Sequence, residues 1–357
     1  MANKVLMKGN EAMAEAAIMA GCRHYFGYPI TPQTEVAAYM SKRMPKIGGT
    51  FLQAESEVSA INMVIGAAAS GVRAMTSSSS PGISLKSEGI SYLAGCELPA
   101  LIVNVQRGGP GLGGIQPSQS DYFQAIKGGG HGDYNLIVLA PASVQEMFSL
   151  TFKGFDLADK YRVPCMILAD GTLGQMMEPV SLDGCDVVKY DKSSYETSGT
   201  KNHQGRNIVN SLSLNAAQLE EWNIRRYERY AVIEKEEVMY EEYMMEDAEY
   251  CIVSFGIAAR VCKNAILEAR AKGIKVGMIR PITLWPFPKE ILKKTAEKVK
   301  GFLSVELNMG QMVDDVKLAI NCSKPVYFTG RTGGIIMDTN EIVEKLIQIE
   351  KGEAKQW

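Results

Sequence analysis

Glu55 and Glu57 stand two residues apart in the stretch FLQAESEVSAINMVIGAAASG (51–71), where a polar loop turns into a helix of apolar and small residues. A carboxylate at that place has two chemistries open to it. It can complement the positive end of the helix dipole, worth a few tenths to ~1 kcal/mol. Held instead in an apolar pocket, with its proton affinity raised, it can share a proton with a ligand. Arg107 follows the strand-like run LIVNV (101–105) and can pair bidentately with a carboxylate, either a ligand's or the protein's own. Thr31 lies inside YPITP (28–32), where two prolines fix a rigid turn, so its hydroxyl either caps local backbone or touches a ligand. The run SSSSPG (77–82) places hydroxyls ahead of Pro81, at the start of a helix expected over 83–94, and capping is their simplest role.

Other patterns point to less. Gly109, Gly111 and Gly114 match G-x-G-x-x-G after a strand. A dinucleotide fingerprint needs those glycines to open a long crossover helix, and Pro110 and Pro117 interrupt the stretch, which reads as a lid or binding loop. The seven cysteines show no CxxC spacing and His131 has no partner at ligand spacing, so no metal site is expected on this chain. The odd count of scattered thiols fits a reducing cytoplasm.

Parallel β-strands are the elements able to bring such dispersed residues together. Residues 24–28, 73–76, 101–105, 136–140 and 164–169 alternate with helical patterns, as in a parallel sheet covered by helices on both faces. Ligands of such sheets collect at the carboxyl ends of the strands, where Thr31 and Arg107 fall. A polar, turn-rich segment covers 183–210, a long charged helix is expected from Leu214 to about Met245, and a second α/β unit begins at Tyr250. The expected division is 1–182, a linker and long helix over 183–246, and 247–357. With 46% hydrophobic and 22% charged residues the composition is that of a soluble globular protein, and no apolar run reaches the ~18 residues of a membrane span. A net charge of −2 makes no electrostatic case for nucleic acid or an anionic membrane.

YPITP, ESE (55–57), SSSSPG, QRGGPG (106–111) and RPITLWPFP (280–288) together resemble the 2-oxoacid:ferredoxin oxidoreductases. The similarity is to their α-type, pyrimidine-binding subunit, and LMKGNEA (6–12) with GGPGLGGIQPSQSDYFQA (108–125) is similar to the 2-oxoisovalerate (3-methyl-2-oxobutanoate) branch. The resemblance implies a thiamine diphosphate-binding fold joined to a transketolase C-terminal-like α/β domain. It implies that Glu57, not Glu55, meets N1′ of the thiamine aminopyrimidine, where a carboxyl in a dry pocket favours the imino tautomer. Val58 and Ile61 are expected to help dry that pocket. Pro29, Ser80 and Pro81 are implied as further cofactor contacts, and Thr31 and Arg107 as contacts of the substrate carboxylate. Mg2+ and a 4Fe-4S cluster are implied on a β-type partner subunit, coenzyme A on a γ-type subunit, and further clusters on a ferredoxin-like chain that passes electrons to ferredoxin. The assembly implied is a hetero-oligomer with two copies of this chain. Asp170-Gly171 imitates the start of a thiamine metal–diphosphate motif, but no helix and asparagine follow at the needed distance, so it is set aside. A 2-oxoglutarate- or pyruvate-specific member, or a non-catalytic assembly subunit, would share the same motifs.

Overall fold

The structure is a computed structural model describing residues 4–184, 186–200 and 205–357. Its first half contains strands β1 (Lys4–Lys8), β2 (His24–Gly27), β3 (Thr50–Gln53), β4 (Ala74–Ser78), β5 (Leu101–Gln106), β6 (Ile137–Leu139), β7 (Cys165–Asp170) and β8 (Met177–Ser181). The second half adds β9 (Tyr240–Tyr243), β10 (Tyr250–Val253), β11 (Val276–Pro281), β12 (Thr283–Trp285), β13 (Gly301–Glu306) and β14 (Val326–Gly330). A seven-stranded sheet runs β12-β6-β7-β5-β4-β2-β3, parallel except for β12. A five-stranded sheet runs β14-β13-β10-β11-β9, parallel except for β9. The terminal strand β1 pairs antiparallel with β8, a pairing that the charged sequence KVLMK did not announce.

The central strands read as continuous apolar runs because both faces are covered. Every residue of β5 (LIVNVQ) and β7 (CMILAD) is buried. Ser56 caps the helix Glu57–Ala69 by accepting from the Ser59 amide, and Ser143 caps the helix Val144–Tyr161 in the same way.

One expectation is corrected here. The helix expected to run to Met245 spans Ala216–Glu236 and is followed by β9. Exposure there alternates residue by residue along YEEY, and the half-buried Glu241 on β9 receives Arg280 Nε at 2.6 Å and a contact from Lys263. A strand at that edge compensates a buried guanidinium, which a longer helix could not reach. The proline-rich RPITLWPFP joins the two sheets. Arg280 leaves β11 and forms a two-pronged pair with Glu146 of the first unit (2.9 and 2.7 Å), and β12 then adds to the edge of the first sheet.

Asp170 has a structural task. Its carboxylate accepts from the amides of Thr172 (2.9 Å) and Leu173 (3.1 Å), capping the short helix Gly171–Gln175. Burial pushes its carboxyl up from 3.8 to about 6 although these hydrogen bonds oppose the shift. The folded state therefore binds this proton more tightly than the unfolded chain. Its contribution is greatest below the unfolded value and is lost as pH rises through about 6. Thermal melts at pH 5 and pH 7 are expected to show the wild type losing ground to Asp170→Asn as pH rises. A pH-independent difference would mean that this carboxyl is already ionised at pH 5.

Candidate functional site

The carboxyl ends of β3, β2, β4 and β5 are neighbours in the sheet, and each carries one part of the expected site. Glu57 follows β3, Pro29 and Thr31 follow β2, Ser80 and Pro81 follow β4, and Arg107 follows β5. The chain passes from β2 out to the edge strand β3 and returns to β4 on the other side of β2, which makes this crevice the point where strand order reverses.

Glu55 and Glu57 differ sharply. Glu55 is exposed and its carboxylate accepts the Ser59 hydroxyl at 2.7 Å, which holds its proton affinity below the usual range. Glu57 is the first residue of its helix, is only 6% exposed, and accepts no side-chain or backbone hydrogen bond among the described residues. Its carboxyl lies against Gly82: a Cβ there would come within 2.8 Å of Glu57 Oε1 and collide with Ser78 Oγ. The glycine is what allows the helix Pro81–Gly95 to approach this carboxyl. Ile61 is buried against Gly89 of that helix, whereas Val58 is 44% exposed. Of the two residues expected to dry the pocket, only Ile61 can, because Val58 lies on the opposite side of the helix from the packed face.

The serine run does not cap its helix as expected. Ser80 is the N-cap residue by position but makes no capping bond; its backbone is left-handed at φ +22°. Its hydroxyl donates to Asp121 Oδ2 at 2.6 Å and accepts from the Arg107 amide at 3.0 Å, while its own amide donates to Asn104 Oδ1. Ser79 donates to the Val105 carbonyl and Ser77 to Gln33 Oε1. The hydroxyls therefore lace β4 to its neighbours, and Ser80 is held in a strained conformation by contacts from β5 and beyond. Ser78 Oγ is buried with no partner. Asp121, whose carboxyl is pushed up by burial, was not found from sequence because its contacts lie 17 and 41 residues away.

Arg107 is 7% exposed. Its guanidinium donates to the carbonyls of Thr31 (3.0 Å) and Leu112 (3.1 Å), its Nε has no partner, and it forms no ion pair among the described residues. The bridge is to the Thr31 carbonyl, and the Thr31 hydroxyl makes no hydrogen bond in the described structure. Pro29 and Thr31 are exposed, while Ser80 and Pro81 line an open cleft of about 860 Å3 with Leu85, Asp121, Met309 and Gln311. The cleft lies between the two sheets. Next to its lining residue Ser120, Gln119 donates to the Phe255 carbonyl (2.7 Å) and accepts from the Leu307 amide (2.9 Å), which ties the two units together. The lid read over GGPGLGGIQPSQSD is thus of two kinds: residues 108–115 are mostly exposed, but Ser118 and Gln119 are buried and bolted to the second unit. A buried carboxyl with a free acceptor face, an unpartnered hydroxyl and a buried cation without an acid fit an aromatic ring bearing an N–H donor together with a small anion.

Residues 15–245 match the family described as pyruvate flavodoxin/ferredoxin oxidoreductase, thiamine diphosphate-binding, and 248–342 match pyruvate:ferredoxin oxidoreductase core domain II. The chain is 52% identical over 344 residues to the ketoisovalerate oxidoreductase subunit VorB of Methanothermobacter marburgensis, covering 96% of this chain and 97% of that one. It is 37% identical to the 2-oxoglutarate synthase subunit KorA of Methanocaldococcus jannaschii, covering 94% and 97%. Among solved structures, the 2-oxoglutarate:ferredoxin oxidoreductase from Magnetococcus marinus superposes with a TM-score of 0.86 at 28% identity, over 97% of this chain and 65% of that one. A split-gene transketolase shares the fold (TM-score 0.61, 14% identity, 98% and 99% covered).

Proposed function

We propose a function from the premise that this chain belongs to the pyruvate flavodoxin/ferredoxin oxidoreductase family, as an α-type subunit of a thiamine diphosphate-dependent 2-oxoacid:ferredoxin oxidoreductase. Its complex oxidatively decarboxylates the branched-chain 2-oxoisovalerate to an acyl-coenzyme A and reduces ferredoxin. When bound, thiamine diphosphate supplies the nucleophilic carbon and the electron sink for loss of carbon dioxide. This chain's residues bind and protonate around it. Glu57 holds the proton at the pyrimidine N1′, Pro29, Ser80 and Pro81 shape the wall beside the ring, and Ile61 excludes water.

The observation that carries the reading is Arg107, a buried guanidinium with no carboxylate of its own and an unpaired Nε. A cation held that way is completed by an anionic ligand, and the 2-oxoacid carboxylate fits its fork. Its guanidinium grips the Thr31 carbonyl, so the loop that carries Thr31 is held next to it. The branched-chain substrate is supported by the 52% identity to a ketoisovalerate oxidoreductase subunit, against 37% to a 2-oxoglutarate synthase subunit.

Mg2+ and a 4Fe-4S cluster are assigned to the β-type subunit, coenzyme A to the γ-type subunit, and the remaining clusters to the ferredoxin-like chain, in an assembly with two copies of this one. Six of the described cysteines are free, which supports a reducing, cytoplasmic setting. The test is ferredoxin reduction by the purified complex across a panel of 2-oxoacids. The highest kcat/KM is expected with 2-oxoisovalerate; a higher value with 2-oxoglutarate overturns the substrate assignment, and activity independent of thiamine diphosphate overturns the function.

The chain alone is expected to fold but to bind thiamine diphosphate weakly by calorimetry, because it offers the pyrimidine side of the site and leaves the diphosphate–Mg2+ side to its partner. Tight, Mg2+-dependent binding by the chain alone would place a diphosphate site here and reopen the role of Asp170.

A further inference from the structure

Asp121 lines the cleft beside Ser80 and Pro81 and takes no part in the chemistry proposed above. Its Oδ2 accepts twice, from the Ser80 hydroxyl at 2.6 Å and from Asn104 Nδ2 at 2.8 Å. The Ser80 amide donates to Asn104 Oδ1 at 3.0 Å, so Asp121, Ser80 and Asn104 close a ring of hydrogen bonds. The Arg107 amide hangs from that ring, donating to the Ser80 hydroxyl oxygen at 3.0 Å. We infer that Asp121 is a positioning residue for Arg107: through the Ser80 hydroxyl it fixes the root of the side chain whose fork takes the 2-oxoacid carboxylate. This rests on the reading of Arg107 as the carboxylate partner.

The Ser80 hydroxyl has one proton and two acceptors in range, Asp121 Oδ2 at 2.6 Å and the Arg107 carbonyl at 3.2 Å. Given to Asp121, the proton leaves the oxygen's lone pairs for the Arg107 amide, and hydrogen bonds in series strengthen one another. Without Asp121 the hydroxyl turns to the Arg107 carbonyl and gives up that arrangement. Asp121 also holds Ser80 at φ +22°, a conformation that L-residues avoid unless their surroundings impose it. Asp121 is fixed in turn by its own amide, which donates to Gln106 Oε1 at 3.1 Å, while Gln106 Nε2 reaches the Ala169 carbonyl on β7 at 3.2 Å.

Arg107 needs an anchor at its root. Its guanidinium is gripped by the carbonyls of Thr31 and Leu112, on separate loops. A shift of the backbone at 107 therefore turns the fork against these fixed points. A carboxylate seated on two parallel N–H groups is sensitive to such errors of aim.

The test is a set of variants in the assembled complex, with ferredoxin reduction followed against 2-oxoisovalerate concentration. Asp121→Leu is similar in shape but accepts nothing. It is expected to raise KM about tenfold, the scale of one lost hydrogen bond, with kcat and thiamine diphosphate affinity changed by less than about twofold. Asp121→Asn, whose side-chain carbonyl can still accept from Ser80 and Asn104, should recover most of the loss. Ser80→Gly removes the hydroxyl and tolerates the positive φ, so its KM should rise by a similar factor. If Asp121 acts through that hydroxyl, combining Asp121→Leu with Ser80→Gly should give a KM no higher than that of the worse single variant.

Factors that multiply in the double variant would show Asp121 acting independently of Ser80 and overturn the inference. A lower melting temperature for Asp121→Leu at wild-type KM, the mark of a purely structural network, would overturn it too. Should Asp121→Leu fail to assemble, Ser80→Gly decides alone, because a wild-type KM there breaks the path from Asp121 to Arg107. Unchanged KM in Arg107→Lys sinks the reading of Arg107 itself. A raised KM in Arg107→Lys beside wild-type values in Asp121→Leu and Ser80→Gly sinks the inference about Asp121 alone.

Discussion

Glu57→Gln in the assembled complex is expected to slow turnover by ~10²–10⁴-fold, the range for removing a group that moves a proton in the reaction, while Glu55→Gln leaves it largely unchanged. If both glutamates served only the helix dipole, the two variants would be alike and mild, within ~1 kcal/mol of stability each. The structure already separates them: Glu55 is exposed and satisfied by Ser59, and Glu57 is buried with its carboxyl unengaged. Glutamine is nearly isosteric, so contact with Gly82 survives and the complex should assemble. What it lacks is a carboxyl able to exchange a proton with N1′. The direct measurement is hydrogen–deuterium exchange at the thiazolium carbon of the bound cofactor. Exchange in Glu57→Gln as fast as in wild type would refute the assignment even if turnover fell for another reason.

Arg107→Lys is expected to raise the KM for the 2-oxoacid by roughly 10- to 100-fold, the equivalent of ~1–3 kcal/mol for a charge-assisted hydrogen bond, with a much smaller change in cofactor affinity. Lysine keeps the charge but loses the planar fork. It also loses the two carbonyl contacts, to Thr31 and Leu112, that hold the loops after β2 and β5 in register. Thr31→Val separates these effects, because valine retains the carbonyl that Arg107 grips and removes only the free hydroxyl. A smaller rise in KM is expected there. Should Arg107→Lys instead melt at lower temperature while its surviving fraction shows wild-type KM, the guanidinium is a loop clamp and the substrate carboxylate is bound elsewhere.

Much of the architecture was written locally. Strands such as LIVNVQ and CMILAD are legible because a parallel strand buried on both faces must be apolar throughout, a property of six consecutive residues. Prolines in YPITP and the helix-starting Pro81 restrict backbone angles by covalent structure, whatever surrounds them. The phase of Ile83, Lys86, Ile90 and Leu93 also places a lysine on the apolar face of its helix.

The failures share a cause, which is that the deciding partner is distant in sequence. Strand β9 was read as helix because its reason for being extended, Arg280, lies 39 residues away. The serine run was read as a cap because the nearest amides are those of its own helix; Asp121, Asn104 and the Arg107 amide outcompete them for Ser80, and only folding brings these near. RPITLWPFP could be recognised as distinctive, but that it ties one sheet to the other depends on Glu146 and β6 arriving beside it. By itself the sequence determined which strands are central, where the chain turns and which residue types gather at the strand ends. Which of two neighbouring glutamates is buried, and whether a guanidinium has an acid, were decided only in three dimensions. Burial and charge pairing are sums over neighbours in space, and helix phase alone does not say which face will be covered.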